Sequence, residues 1–272
     1  MDIMNQIEET LDKNTKISGP VKENIFELVS IFHHNFPNVD LNNLNERLSN
    51  LVIDSGSKYV YKEVSNYNPA FNTLTFNMEE LSKDYDVKHV LMYELLNIIT
   101  AKNNNVGFDK DNALIALNTG YTEILANNLV GNDSDIEHHI DEISATNLIA
   151  NMIGHDVIFK SYFTNDFNLI NEVLKDAGLE ETIEQMNFNY YDKENSNLAQ
   201  IILGIEKVSF HNGTSQRMLD VIESGTLSSK CFGDSKHNDM DNVAKFNESI
   251  RQAINAMSLD EPIIEDNPSK TM

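Results

Sequence analysis

The sequence is poor in cysteine, in arginine and in long apolar runs, and each shortage excludes something. A single cysteine, Cys231, rules out an intramolecular disulfide framework and a multi-cysteine zinc site. Arginine occurs only at Arg47, Arg217 and Arg251, and 20 Lys+Arg stand against 43 Asp+Glu, a formal charge of −23. Phosphate recognition draws on Lys and Arg, so a nucleic-acid partner is excluded and an anionic membrane surface is disfavoured in the same way. No stretch approaches the roughly 18 apolar residues of a membrane span. The N-terminus, MDIMNQIEETLDKNTK, lacks a basic segment followed by an apolar one, so it does not read as a secretion signal. A cytoplasmic protein is the expectation.

What is present suits a folded chain. Hydrophobic residues make up 40% of 272 positions, enough for a sizeable core in one large domain. Residues 1–17 are polar and read as a flexible N-terminus. Val21, Ile25, Leu28, Val29 and Phe32 then recur at helical spacing after Gly19-Pro20, and His33-His34 close that run where cations favour the helix dipole. Asn38 and Asp40 precede a second run, Leu41, Leu44, Leu48 and Leu51. Residues 57–77 change character. SKYVYKEV and NTLTFN are rich in β-branched and aromatic residues, with Asn68-Pro69 between them, and predict two or three short strands. From Asp86 onward the pattern is helical, over roughly 86–101, 112–131, 135–162, 166–177, 194–209, 213–225 and 239–257. Residues 258–272 carry two prolines and clustered acids and read as a loose acidic tail. The expected class is α+β and predominantly α-helical, a small sheet at about 57–77 followed by a helical bundle, in one domain over 18–257.

The run DVKHVLMYELLNIITA carries the functional argument. At 100° per residue Leu91, Leu95, Ile98 and Ile99 share one face. Tyr93 and Asn97 lie on another, with Glu94 beside them. His89, Tyr93 and Asn97 form one i, i+4, i+8 stripe. Downstream, residues 116–126 read ALNTGYTEILA.

Tyr93-Glu94-Leu95-Leu96-Asn97 resembles the H-E-x-x-H helix of zincin metallopeptidases, and Asn118-Thr119-Gly120 resembles the N-E-G segment of their gluzincin branch. The strand-like NTLTFN before the motif helix fits the same plan. The resemblance covers roughly residues 57–130. It implies a zincin-like core in which two helices face each other beside a small sheet. In such a core two His at i and i+4 and a carboxylate from the second helix hold zinc, and the Glu after the first His is the general base. Here the ligand positions hold Tyr93, Asn97 and Thr119, none of which offers a charged donor near neutral pH. A shifted register would make Glu123 the third ligand. The resemblance therefore implies a degenerate metallopeptidase: zinc lost, Glu94 a vestigial general base, and a relict cleft of Tyr93, Glu94, Asn97, Thr119 and Glu123. Its role would be binding a protein or peptide.

Two alternatives stay open. One is an active metal-dependent hydrolase with a non-standard site built from Glu94, Glu123 and one or more of His89, His138, His139 and His155. The other is an unrelated helical interaction protein. Residues 111–159 hold eight acids and no Lys or Arg, which reads either as a solvated acidic face or as a negative rim selecting a basic partner. Other chemistry is missing. Cys231 has no His and carboxylate at motif spacing. Gly213-Thr214-Ser215 is not a phosphate loop, and Asp234 to Asp241 has no calcium-loop frame. Phe188, Tyr190 and Tyr191 read as a local core or a packing edge and not as a binding platform.

Overall fold

The computed structural model describes residues 2–54, 63–81, 85–132, 139–192 and 197–211. The segment expected to be loose at the N-terminus is instead a helix, α1 (Ile3–Lys13). Ile3, Met4, Ile7 and Leu11 give it an apolar stripe at helical spacing. Ile7 and Leu11 are buried in the core, and each buried side chain of this kind contributes about 1.5–3 kcal/mol. Asn14, just past its end, donates from Nδ2 to the Leu48 and Leu51 carbonyls at 2.8 and 3.1 Å. The expectation of a flexible stretch over 1–17 weighed its polar residues and overlooked the stripe.

Helix α2 (Gly19–Asn35) starts with Pro20 in its first turn, where the missing N–H matters least. It buries Ile25, Leu28, Val29 and Phe32. Phe32 and Phe36 pack at a tilted angle with centroids 5.2 Å apart, and meet Phe159 and Phe163 at 5.5 to 6.0 Å. Helix α3 (Asn42–Leu48) is shorter than the leucine spacing predicts, because the chain turns into a strand at Val52.

Among the described residues three strands form one sheet: β1 (Val52–Asp54), β2 (Ser65–Asn68) and β3 (Thr73–Phe76), in the order β1-β3-β2. β1 runs parallel to β3, and β2 antiparallel to it. NTLTFN is a strand, as expected. SKYVYKEV is not confirmed: residues 57–62 lie outside the described residues, and Glu63-Val64 form a bend. The hairpin partner is SNYN. Its alternation puts Ser65 and Tyr67 inward. Arg47 on α3 donates from Nη1 to Tyr67 Oη at 2.8 Å and to the Pro69 carbonyl at 3.2 Å, tying the helix to the hairpin.

After the single turn α4 (Met78–Leu81) come the two helices that position the site, α5 (Val87–Thr100) and α6 (Ile115–Val130). Both match the expected spans within a few residues. Neither is amphipathic in place. α5 is packed by α2, α3, α6, α8 (His155–Thr164) and β2. From His89 to Thr100 only Tyr93 escapes full burial. Asn43 of α3 donates to the carbonyls of Ile99 and Ala101 at 3.0 and 2.9 Å, closing the C-terminal end of α5. The polar face read from the sequence thus points into other helices, not into water.

α6 packs against α7 (Ile140–Ile153) at Gly120, where an added Cβ would strike the Glu142 carbonyl and Thr146 Oγ1. The single helix expected over 135–162 is two. Gly154, at φ +103°, separates α7 from α8. Helices α9 (Phe167–Asp176), α10 (Glu180–Tyr191) and α11 (Leu198–His211) complete the described chain. α10 has no counterpart in the sequence reading. The segment EETIEQMNFNYY is polar and aromatic, and only Ile183 and Met186 mark its buried side.

Among the described residues five of the seven non-glycine residues with positive φ are asparagines, whose short polar side chain tolerates the left-handed turn. One continuous hydrophobic cluster joins elements from α1 to α11. The observed class is helical with one small three-stranded sheet. Among the described residues no helix is long and apolar enough to cross a membrane. The helices expected over 213–225 and 239–257, the tail 258–272 and Cys231 lie outside the described residues.

Candidate functional site

The site begins at the first turn of α5. Asp86 caps the helix, accepting from the backbone N–H groups of Lys88 and His89 at 2.9 and 3.2 Å. This fixes His89 against the end of α6. His89 Nδ1 lies 2.8 Å from the Gly131 carbonyl, which can only accept, so Nδ1 carries a proton. Its Nε2 lies 2.7 Å from Glu123 Oε2. Burial works against a charged imidazole here. The bond to Glu123, that residue's charge, the Gly131 carbonyl and Asp86 together outweigh burial and raise the His89 pKa above its ordinary value. Glu123 is thus the partner that most favours the protonated imidazole. Both partners are buried, at 5% and 6% exposure.

One turn on, Glu94 is 1% exposed. Ser65 Oγ of β2 reaches its Oε1 at 2.6 Å, and Asn97 Nδ2 donates to its Oε2 at 3.0 Å. Burial pushes the Glu94 carboxyl up to about 7; the bonds from Ser65 and Asn97 pull down, and the carboxylates of Glu63 and Glu123 push up again. Near neutral pH this group is divided between its acid and its anion. A carboxyl of this kind can exchange a proton, yet at 1% exposure it meets no substrate in this conformation.

Tyr93 lies between these two assemblies. Burial first, then Tyr190, Glu123, Glu94 and Glu63, raise its hydroxyl well above the usual tyrosine range, so it is a neutral phenol. The His139 ring stands between Tyr93 and Tyr190, with centroid distances of 6.4 and 6.0 Å and interplanar angles of 12° and 15°. His139 Nδ1 is 3.7 Å from Glu142 Oε2. Tyr190 of α10 donates to Glu63 Oε1 at 3.2 Å and shares a hydrogen bond with Thr119. Burial raises the Tyr190 hydroxyl too.

The five residues of the expected cleft are thus brought together on α5 and α6 beside β2. They are not laid open as a cleft. Asn97, Thr119 and Glu123 are buried at 8%, 4% and 6% exposure, and only Tyr93 is half-buried. The expected acidic rim is also altered. Glu123 and Glu142, two of its eight acids, are buried in the helical layer, while Asp133, Asp135 and Glu137 lie outside the described residues.

A zinc ion asks for three unencumbered protein donors and an open position. The side chains present do not fit it. Glu123 accepts from His89, and both ring nitrogens of His89 are engaged. The Asn97 amide is turned to Glu94, and Tyr93 and Thr119 offer neutral hydroxyls. Among the described residues no three of His, Cys, Asp and Glu gather to hold a metal. Of the other histidines weighed as ligands, His138 lies outside the described residues. His139 faces Tyr93 and Tyr190. His155 opens α8, where burial lowers its pKa against the pull of Asp156.

Ser65, Tyr190 and the Gly131 carbonyl belong to the site and carry no motif signal. Only the two-residue alternation of β2, with Ser65 and Tyr67 inward, could have flagged Ser65. No protein-family model, no curated protein and no solved structure matches the chain.

Proposed function

We propose that this chain is a zincin-like pseudoenzyme, which keeps two facing motif helices and acts by binding a protein or peptide instead of hydrolysing one. One observation carries the reading: the two carboxyl groups of the expected cleft, Glu94 and Glu123, are already engaged from within. Glu94 holds Ser65 and Asn97, and Glu123 holds His89. In the zincin plan the general base deprotonates a metal-bound water, and this donor set leaves no place for the metal. The part of the site nearest the surface is the mouth formed by Tyr93, His139, Tyr190 and the exposed Glu63. Glu63, the acidic group of that mouth, favours a basic ligand, in keeping with a net charge of −23. The test is hydrolysis of a fluorogenic basic peptide by the full chain, with and without added zinc, beside Glu94→Gln. The reading expects no chelator-sensitive turnover in either protein. Turnover that needs zinc and disappears in Glu94→Gln would overturn it.

A second reading is favoured by the same carboxyl. Glu94 at about 7 is suited to general acid–base work near neutral pH. It belongs to the metal-dependent hydrolase weighed from the sequence, and the same assay separates the two.

A further inference from the structure

Six large apolar side chains are exposed among the described residues, and three of them, Phe188, Tyr191 and Leu203, lie on α10 and α11. The helix sequences place them there. On α10, Glu181, Glu184, Gln185 and Phe188 recur at three- and four-residue spacing and share one face, while Ile183 and Met186 bury the other. On α11, Gln200, Leu203 and Lys207 share a face, while Ile201 and Ile205 are buried. The two helices pass closely at Gly204, where an added Cβ would come within 3.2 Å of Thr182 Oγ1. Their outer faces flank a groove with two lobes of about 390 and 500 Å³, which share Glu181, Gln185 and Gln200.

The groove combines exposed apolar surface with one sign of charge. Among the described residues its first lobe is lined by Glu181 and Glu184 and no cation; the second adds Lys207. An apolar patch with a polar rim marks an interaction surface. Two antiparallel helical walls, with Asn189 level with Asn197 and Thr182 with Gly204, suit a third helix laid between them. Charge then decides among occupants. A second copy of a chain carrying −23 is repelled, and this chain's own residues 212–272 hold more acids than bases. We propose that the α10–α11 groove binds an amphipathic helical segment of another protein, apolar on one face and basic along its flank. Phe188 and Leu203 would meet the apolar face, and Glu181 and Glu184 the flanking Lys or Arg. The groove is built by α10, α11 and the residues next to their N-terminal ends (Ala177, Gly178 and Asn197), none of them a residue of the zincin motif, so the proposal stands whether or not the zincin reading does.

The test uses the full chain and a fluorescein-labelled Leu/Lys peptide with helical amphipathic spacing, read by fluorescence anisotropy. A scrambled peptide of the same composition and a Leu/Glu peptide of the same spacing serve as controls. Saturable binding is expected for the Leu/Lys peptide only. Phe188→Ser with Leu203→Ser should raise Kd roughly tenfold or more. Glu181→Gln with Glu184→Gln should raise Kd and flatten its salt dependence. All four side chains are exposed, so both variants keep the fold, which circular dichroism checks. Absent binding, equal binding of either control, or unchanged Kd in both variants would overturn the proposal. So would a dimer of the unaltered chain that the serine pair disperses, which assigns the groove to a second copy. A rise in hydrogen exchange within 212–272 caused by the serine pair alone would assign it to the chain's own segment, and overturns the proposal as well.

Discussion

Replacing Glu94 with Gln should stabilise the protein at alkaline pH and remove most of its pH dependence near neutrality. Glu94 titrates at 4.5 in an unperturbed setting and at about 7 in the folded chain. The folded state therefore holds a proton that the unfolded chain releases. Stability is full below the unfolded pKa and is lost as pH rises through the folded one. The shift corresponds to about 3 kcal/mol between pH 4.5 and pH 8. Gln is the neutral isostere. Its Oε1 can accept from Asn97 Nδ2, and its Nε2 can donate to Ser65 Oγ, a hydroxyl that works in either direction. Both ties to the sheet and the helix survive. At pH 8 the variant should gain about 3 kcal/mol, or roughly 6–10 °C in Tm for a chain of this size. At pH 4.5 the two proteins should nearly coincide. Urea denaturation followed by far-ultraviolet circular dichroism at both pH values measures this. A variant less stable than the parent at pH 8, or a pH slope unchanged by the substitution, would refute the reasoning.

His89→Ala should cost about 3–5 kcal/mol at pH 7, because it leaves Glu123 buried without its partner. Restoring most of that loss with a second change, Glu123→Leu, in equilibrium unfolding would identify the ion pair as the cause. His89 also predicts a residual slope in Glu94→Gln. Its raised pKa means that its stabilisation is complete below about 6.5 and is lost as pH rises through the folded value. Gly120→Ala should destabilise by about 1–3 kcal/mol or more, since its Cβ would strike the Glu142 carbonyl and force α6 away from α7. Gly107→Ala should be worse than an ordinary surface change. Gly107 sits at φ +56°, and an added Cβ there would lie 2.7 Å from the Tyr162 ring and against Asn118 Oδ1. Thermal melts of the two glycine variants check both statements.

The helices that build the site were legible because their apolar residues recur over long spans. α5 and α6 fall where the periodicity puts them. What periodicity misjudged was their surroundings. Tyr93, Glu94 and Asn97 on one side of α5 read as the wall of an open cleft, yet Ser65, Glu123 and Tyr190 cover that side from three other elements. A polar face covered by polar groups looks the same in sequence as a solvated one. The ties that close it span 29 residues for Ser65–Glu94 and 34 for His89–Glu123, and no local pattern encodes them. α1 was missed because its polar residues outnumber Ile7 and Leu11, and α10 because Asn, Gln and Tyr weaken its pattern. β1 was hidden because Leu51 continues the leucine spacing of α3 into a strand paired with β3, which lies further along the chain.

The central claim is that Glu123 and Glu94 are committed inside the protein and hold no catalytic zinc. Zinc content of the full chain settles it most directly, measured by mass spectrometry after equilibration with zinc and removal of excess. The account predicts far less than one zinc per chain, with no difference between the unaltered protein and Glu123→Gln. About one zinc per chain, lost in Glu123→Gln, would contradict it.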